Sequence, residues 1–361
     1  MKKLVLLIFT LIFCFNNSWG QEKTGLNYKL HTFYYNWYGN PEKDGKYYHW
    51  AHNVLPHWSD KTWNNLPPFT GGNNIGANFY PQLGCYSSND TSIIEKHMEM
   101  IAKAGIGVVV ITWWGKDSYE DKSIPLYLKI ADKHGIKITF HIEPFYKTIK
   151  EFRESICYII DKYSNYPAFY KQNGKPFFYI YDSYKIKSKE WATVLETKGA
   201  ASIRITKYDA TFIGLWVNKG EEEFFTKGNF DGFYTYFASN GFTDGSNIES
   251  WSYLNVWAGF NNKIFIPCVG PGYDDTRIRP WNGQNTKSRN AGKYYDKMFG
   301  AAVNLNPKFI GITSFNEWHE GTQIEPSVPK KYENYKYEDF SPLSPNYYIN
   351  RTYLWSKKFN N

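Results

Sequence analysis

Short apolar runs recur along the chain, and the intervals between them carry helical periodicity. Residues 30–35, 107–113, 137–142, 176–181, 210–215, 232–236, 264–269 and 309–314 each read as a buried strand. The run 107–113 is the plainest, being continuous and β-branched. Helical patterns follow at 92–104, 124–133, 148–163, 189–198, 221–227, 249–260 and 291–304. The first helix shows Ser92-x-x-Glu95, a capping-box spacing, and stops at Gly105. Asn306-Pro307 marks a turn before the last strand. Strand-then-helix alternation carried through eight strands predicts an α/β fold, a (β/α)₈ TIM barrel. Residues 36–90 are too long for a plain connection and rich in Gly, Pro, Asn and aromatics. They are expected to wall a site on a single domain with extended loops at the C-terminal face.

Chemistry-bearing side chains gather where the predicted strands end. Around the last strand, Asn316, Glu317, Trp318, His319 and Glu320 follow an apolar run and stop at Gly321. The first strand ends on Tyr34, Tyr35, Asn36, Trp37 and Tyr38, the second on Trp113 and Trp114, and the third on His141 and Glu143. The fourth ends on Tyr181 and Asp182, the sixth on Tyr234 and Tyr236, and the seventh runs into a loop with Arg277 and Arg279. Barrel enzymes place their catalytic groups at this end. Taken singly, His141 reads equally as a satisfied buried histidine, Trp113 as barrel core and Arg277 as a surface ion pair. Together, carboxylates ringed by Trp, Tyr and Arg describe a polar pocket with aromatic walls, suited to carbohydrate. Glycoside cleavage uses two carboxyl groups, and Glu317, Glu320 and Glu143 are the candidates. His319 is expected to support the glutamates by hydrogen bonding. The Glu317–His319–Glu320 spacing is not that of a zinc helix, and neither a metal nor a cofactor is expected.

The chain carries 31 Tyr, 26 Phe and 14 Trp, most of them core and some of them sugar platforms. The formal charge of +8 falls to +6 without Lys2 and Lys3 and is spread along the chain, so no nucleic-acid partner is expected. Lys2-Lys3, the apolar stretch 4–15 and Ser18-Trp19-Gly20 read as a secretory signal peptide over residues 1–20. Residues 21–361 then form the catalytic domain, exported to the periplasm or the cell surface, without a transmembrane segment and monomeric. Phe13 before Cys14 makes a poor lipobox. The remaining cysteines, Cys85, Cys157 and Cys268, are odd in number and far apart, which argues against a disulfide framework.

Several blocks of the chain resemble glycoside hydrolase family 99, the endo-α-1,2-mannosidases and endo-α-1,2-mannanases. They are residues 33–41, 44–50, 141–144, 270–273, 275–282, 292–295 and 312–325, in one order over nearly the whole mature chain. The resemblance implies retaining, metal-free endo-hydrolysis of an α-1,2-mannosidic bond in a mannose-containing polysaccharide or glycan, releasing an α-1,3-linked disaccharide. It implies that Glu317 acts as base on the 2-hydroxyl of the −1 sugar, giving a 1,2-anhydro sugar. Glu320 then protonates the leaving oxygen and later activates water. By similarity, Tyr34, Glu143, Tyr236, Arg279 and Asn316 hold the −1 and neighbouring sugars. Trp114 matches the position against the −2 sugar, where Trp goes with mannose in bacterial members and Tyr with glucose in animal ones. His141, Tyr181 and Trp113 complete the expected binding set. The alternatives are a non-catalytic mannan-binding protein on the same fold, a relative of this fold from polysaccharide assembly, and a conventional glycosidase that pairs Glu143 with Glu317 or Glu320.

Overall fold

The computed structural model describes residues 25–57 and 66–360. The predicted signal peptide and Cys14 lie outside them. Eight parallel strand positions form the barrel: β1 Asn27–Tyr34, β2 Ile106–Trp113, β3 Lys137–Ile142, β4 Lys175–Ile180, β5 Thr211–Leu215, β6 Gly232–Tyr234, β7 Ile264–Ile266 with its continuation Cys268–Val269, and β8 Ile310–Ile312. Each neighbour pairs in sequence order, and β8 pairs with β1. The ring closes through β7, whose first half pairs with β6 and whose second half pairs with β8. Between the halves sits Pro267, which has no N–H to give to the ladder. Its carbonyl still accepts from Gly311 N at 3.0 Å. Gly311 permits the close approach there, since a Cβ would stand 2.6 Å from Cys268 Sγ.

The helices on the outside are α1 Thr91–Lys103, α2 Tyr119–Lys133, α3 Ile149–Tyr163, α4 Ser188–Leu195, α5 Glu222–Lys227, α6 Trp251–Phe260, α7 Lys293–Asn304 and α8 Tyr347–Asn360. The capping box predicted for α1 does not form. Asp90 is the N-cap and accepts from Ser92 N at 2.8 Å, while Glu95 turns to Lys133 and His134 at 2.5 and 2.9 Å. Helix α2 begins earlier than its pattern suggests. Ser118 caps it, and Pro125 lies inside it. Pro125 leaves the carbonyl of Asp121 without its helical donor, and the Tyr163 hydroxyl supplies one at 3.1 Å. Helix α8, absent from the sequence reading, is tied to the start of β1 by Asn27 Nδ2 on Ser356 O at 3.0 Å. The three cysteines in the described residues are unpaired.

Alternation along the strands decides what fills the barrel. His31, Phe33 and Tyr35 from β1 point inward, as do Tyr179 and Tyr181, His141 and Glu143, and Tyr234 and Tyr236. The lower interior holds His31 against Tyr179, with Nδ1 2.7 Å from the hydroxyl. Burial pushes the His31 imidazole down to about 3. Above it, Phe33 packs on His141, Tyr179 and Tyr234 at centroid distances of 5.0, 5.5 and 5.6 Å. The uppermost inward layer is the floor of the site.

Candidate active site

The loop that follows β8 is folded back on itself. Ser314 N and Ile324 N bond to Thr322 O and Ser314 O, both at 3.0 Å, and Glu325 N bonds to Phe315 O at 2.9 Å. Ser314 Oγ accepts from Glu317 N at 2.7 Å and meets Thr322 Oγ1 at 2.9 Å. This tight closure lifts Glu317 and Glu320 out of the strand register and aims both at the mouth. It also explains why β8 is shorter than its apolar run.

Both carboxyls line a cavity of about 330 Å³ over the barrel, together with Tyr35, Trp37, His49, His52, Trp114, His141, Glu143, Tyr181, Asp182, Tyr236, Arg279 and His319. Burial pushes both well above the ordinary carboxyl range, to about 8. Their remaining surroundings differ. Glu317 Oε1 accepts from His319 N at 3.1 Å, which favours its charged form. Glu320 makes no side-chain hydrogen bond among the described residues, and the charge of Glu317 raises it further. Arg279 pulls both back. Its Nη1 is held by Asp275 Oδ2 at 3.1 Å, and Asp275 is fixed by Tyr273 and Asn282. Burial holds both carboxyls above their ordinary range, and the His319 N–H makes Glu317 the more readily ionised of the two.

Glu143 stands across the floor. Its Oε1 accepts from Thr112 Oγ1 at 2.5 Å and meets His141 Nδ1 at 2.8 Å, while His141 Nε2 reaches the Tyr234 hydroxyl at 2.7 Å. His141 is therefore fully engaged and orients Glu143. Tyr35 and Tyr236 join hydroxyl to hydroxyl beside the pair. Tyr236 has a positive φ of 46°, unusual for an aromatic residue, where the chain leaves β6. His319 Nδ1 lies 3.5 Å from Glu317 Oε1, and its ring packs on His52 at 4.6 Å. Burial pushes His319 down to about 4 and His49 to about 3, so this wall is neutral at physiological pH.

Of the eleven residues singled out in the sequence, eight meet in this cavity: Glu317, Glu320, Trp114, His141, Glu143, Tyr181, Tyr236 and Arg279. Three do not line it. Tyr34 is one residue out of phase and points outward, its hydroxyl 2.7 Å from His97 Nδ1 and 3.2 Å from Tyr127. Trp113 is out of phase in the same way, and its indole donates to Asp121 Oδ1 at 2.8 Å. Asn316 is buried behind the wall, accepting from Tyr35 N at 2.7 Å and donating to Tyr35 O at 2.9 Å. Its amide clamps the catalytic loop to the end of β1 and has no polar atom left for a sugar. The next neighbours of Tyr34 and Trp113 along the chain, Tyr35 and the already expected Trp114, reach the cavity. His49 and His52 come from the long loop after β1, where no periodicity marked them.

A (β/α)₈ barrel with a buried glutamate pair among aromatic rings at its mouth is the arrangement of a glycoside hydrolase. The model of glycosyl hydrolase family 99 matches residues 25–361, and the chain belongs to that family. A glycoprotein endo-alpha-1,2-mannosidase of Xenopus laevis is 49% identical over 348 residues, 92% of this chain and 77% of its own length. The Mus musculus protein of the same name is 47% identical, over 94% and 76%. The solved structure of the family 99 endo-alpha-mannosidase from Bacteroides thetaiotaomicron superposes with a TM-score of 0.90 at 49% identity, covering 93% of this chain and 98% of that one. Among the described residues, no group of three His, Cys, Asp or Glu is placed to hold a metal ion, and no helix is long and apolar enough to cross a membrane.

Proposed function

We propose that this enzyme is a retaining endo-α-1,2-mannosidase acting on mannan or high-mannose glycans and releasing an α-1,3-linked disaccharide. The observation that carries the proposal is the unequal environment of Glu317 and Glu320. Glu317, steadied by the His319 N–H, takes the proton of the 2-hydroxyl on the −1 sugar. That oxygen attacks the anomeric carbon, and the bond to the leaving sugar breaks. Glu320, which holds the proton, gives it to the departing oxygen. The product of this step is a 1,2-anhydro sugar. Water then opens it, with Glu320 now the base and Glu317 returning the proton. In an α-mannoside the axial 2-hydroxyl lies anti to the leaving group, so little motion is needed. Glu143, fixed by Thr112 and His141, faces the same floor and is suited to hold a hydroxyl of the −1 sugar. Trp114 at the rim supplies the face for the −2 sugar, and the family resemblance associates Trp there with mannose. The basic start and apolar stretch of residues 1–20 support export to the periplasm or cell surface.

The role of the 2-hydroxyl gives the test. A substrate lacking that hydroxyl on the −1 mannose is predicted to be inert, while the parent is cleaved. Cleavage of both at similar rates would return Glu143 or Glu317 to the role of a carboxylate nucleophile. Tight binding of the parent without any cleavage would favour a mannan-capturing protein.

A further inference from the structure

We propose that Arg289 is a positioning residue for Glu320, holding the catalytic loop from behind at the two carbonyls just beyond the glutamate. Arg289 lies between β7 and α7, outside the substrate cavity. Its Nη2 donates to Gly321 O at 2.9 Å and to Gln323 O at 2.8 Å. Those carbonyls belong to the first and third residues after Glu320.

The guanidinium is boxed by rings. Phe79 and Phe340 come from loops on either side, and Tyr348 comes from α8. Their centroids stand 4.6, 4.7 and 4.7 Å from its central carbon. Such a box orients a planar cation and repays part of its desolvation. Gly272 makes room for the stem, since a Cβ there would stand 2.7 Å from Arg289 Cγ.

The loop has little slack on this side. Gly321 has a φ of +62°, and a Cβ on it would meet Asp274 O at 2.9 Å. Asp274 N in turn holds Glu320 O at 2.8 Å. Glu317 is fixed from the other side by Ser314 and His319, and Asn316 by Tyr35. Among the described residues Glu320 makes no side-chain hydrogen bond, so apart from the attraction of Arg279 its carboxyl is placed by its main chain. Arg289 is the side chain that grips that main chain.

The inference rests on Glu320 being the proton donor, and a leaving-group contrast separates the two claims. A glycosidic oxygen takes the electron pair of the broken bond and needs Glu320's proton. Fluoride leaves with its pair as an anion and needs none. The value of kcat/KM reports the steps up to this cleavage. Arg289→Met is predicted to lower kcat/KM by about 100-fold on an α-1,2-linked manno-oligosaccharide, the scale of a 1 Å misplacement. On the α-fluoride of the corresponding disaccharide the loss is predicted to stay within about 3-fold. Arg289→Lys is predicted to recover about 10-fold on the oligosaccharide, since an ammonium reaches one carbonyl but cannot stack and fork. If Arg289→Met does not fold, the same contrast is read on Arg289→Lys against wild type. Glu320→Gln is the control. Equal losses on both substrates for Glu320→Gln would overturn the donor assignment. A contrast for Glu320→Gln with equal losses, or none, for the Arg289 variants would overturn the positioning role.

Discussion

Beneath the catalytic loop lies a buried chain of polar groups whose response to mutation follows from its geometry. Glu325 has no solvent exposure. Its Oε2 accepts from the Tyr86 hydroxyl at 2.8 Å and from Trp318 Nε1 at 3.1 Å, and its Oε1 meets His97 Nε2 at 3.1 Å. His97 Nδ1 meets the Tyr34 hydroxyl at 2.7 Å, and Tyr34 touches Tyr127, which donates to Ser88 O at 2.9 Å. With Glu325 a carboxylate and His97 neutral, the Nε2–H faces Glu325 and Nδ1 accepts from Tyr34. Glu325→Ala orphans three donors and opens a cavity. At about 1–3 kcal/mol per orphaned donor, the cost is predicted to reach at least about 4 kcal/mol. Glu325→Gln should be milder. Its carbonyl keeps Tyr86 and Trp318, its NH₂ faces His97 Nε2, and the imidazole moves its proton to Nδ1. Tyr34 then accepts from His97 and donates to Tyr127. One charge-assisted bond is lost, about 1.5–3 kcal/mol. Tyr34→Phe removes the acceptor that this rearrangement needs, so the double variant Tyr34→Phe/Glu325→Gln is predicted to be less stable than the singles sum to, by about 1 kcal/mol. Urea midpoints at constant m-value would measure the set. Equal costs for Ala and Gln, or an additive cycle, would refute the relay.

Further predictions address the site. Tyr34→Phe is expected to cost about 1–2 kcal/mol of stability with little change in activity, whereas Tyr35→Phe is expected to lower kcat/KM about 10- to 100-fold; thermal melts and initial rates on one oligosaccharide separate them. Glu320 is raised from the ordinary 4.5 to about 8 in the folded state. The native state therefore holds a proton that the unfolded chain has released between these values, and stability falls as pH rises through that window. Glu320→Gln removes this slope, so its stability advantage over wild type should grow from pH 4.5 to pH 8 and then level off; parallel stability curves would contradict the burial argument. Activity should decline as pH passes about 8 and Glu320 loses its proton. Trp114→Tyr should raise the ratio of catalytic efficiencies for Glc-α-1,3-Man over Man-α-1,3-Man substrates, and an unchanged ratio would remove Trp114 from −2 recognition.

The barrel was legible because its strands are continuous apolar runs, and a parallel sheet covered on both faces demands them. Where a proline splits a strand, as Pro267 splits β7, the run still reads as one element, and the closure across it is a tertiary fact. Most of the site was legible from its position at the strand ends. Two of the three residues that fall outside the cavity were errors of phase. The inward set includes His31, Phe33 and Tyr35, two residues apart, so the alternation that places His141 and Glu143 selects Tyr35 over Tyr34 and separates the outward Trp113 from Trp114, which the family resemblance already indicated. Asn316 was different. It sits beside the glutamates in sequence, but the loop folds so tightly that its side chain turns back to pin β1. His49 lies in the block 44–50 that resembles the family, whereas His52 and Arg289 carried no local signal, because loops from distant parts of the chain bring them to the catalytic loop. The Ser92–Glu95 capping box failed because Asp90 is the N-cap one residue before α1, and Lys133 and His134 draw Glu95 away.

The central claim is that Glu317 and Glu320 cut an internal α-1,2-mannosidic bond with retention. The most direct measurement is a proton NMR time course on a mannan bearing Man-α-1,3-Man-α-1,2-Man branches, with wild type, Glu317→Gln and Glu320→Gln run in parallel. The account predicts that the first product is an α-configured Man-α-1,3-Man disaccharide, mutarotating only later, and that both variants lose nearly all activity. A β-configured first product would contradict the retaining mechanism. Release of single mannose units, or full activity in either variant, would contradict the endo-acting assignment or the residue roles.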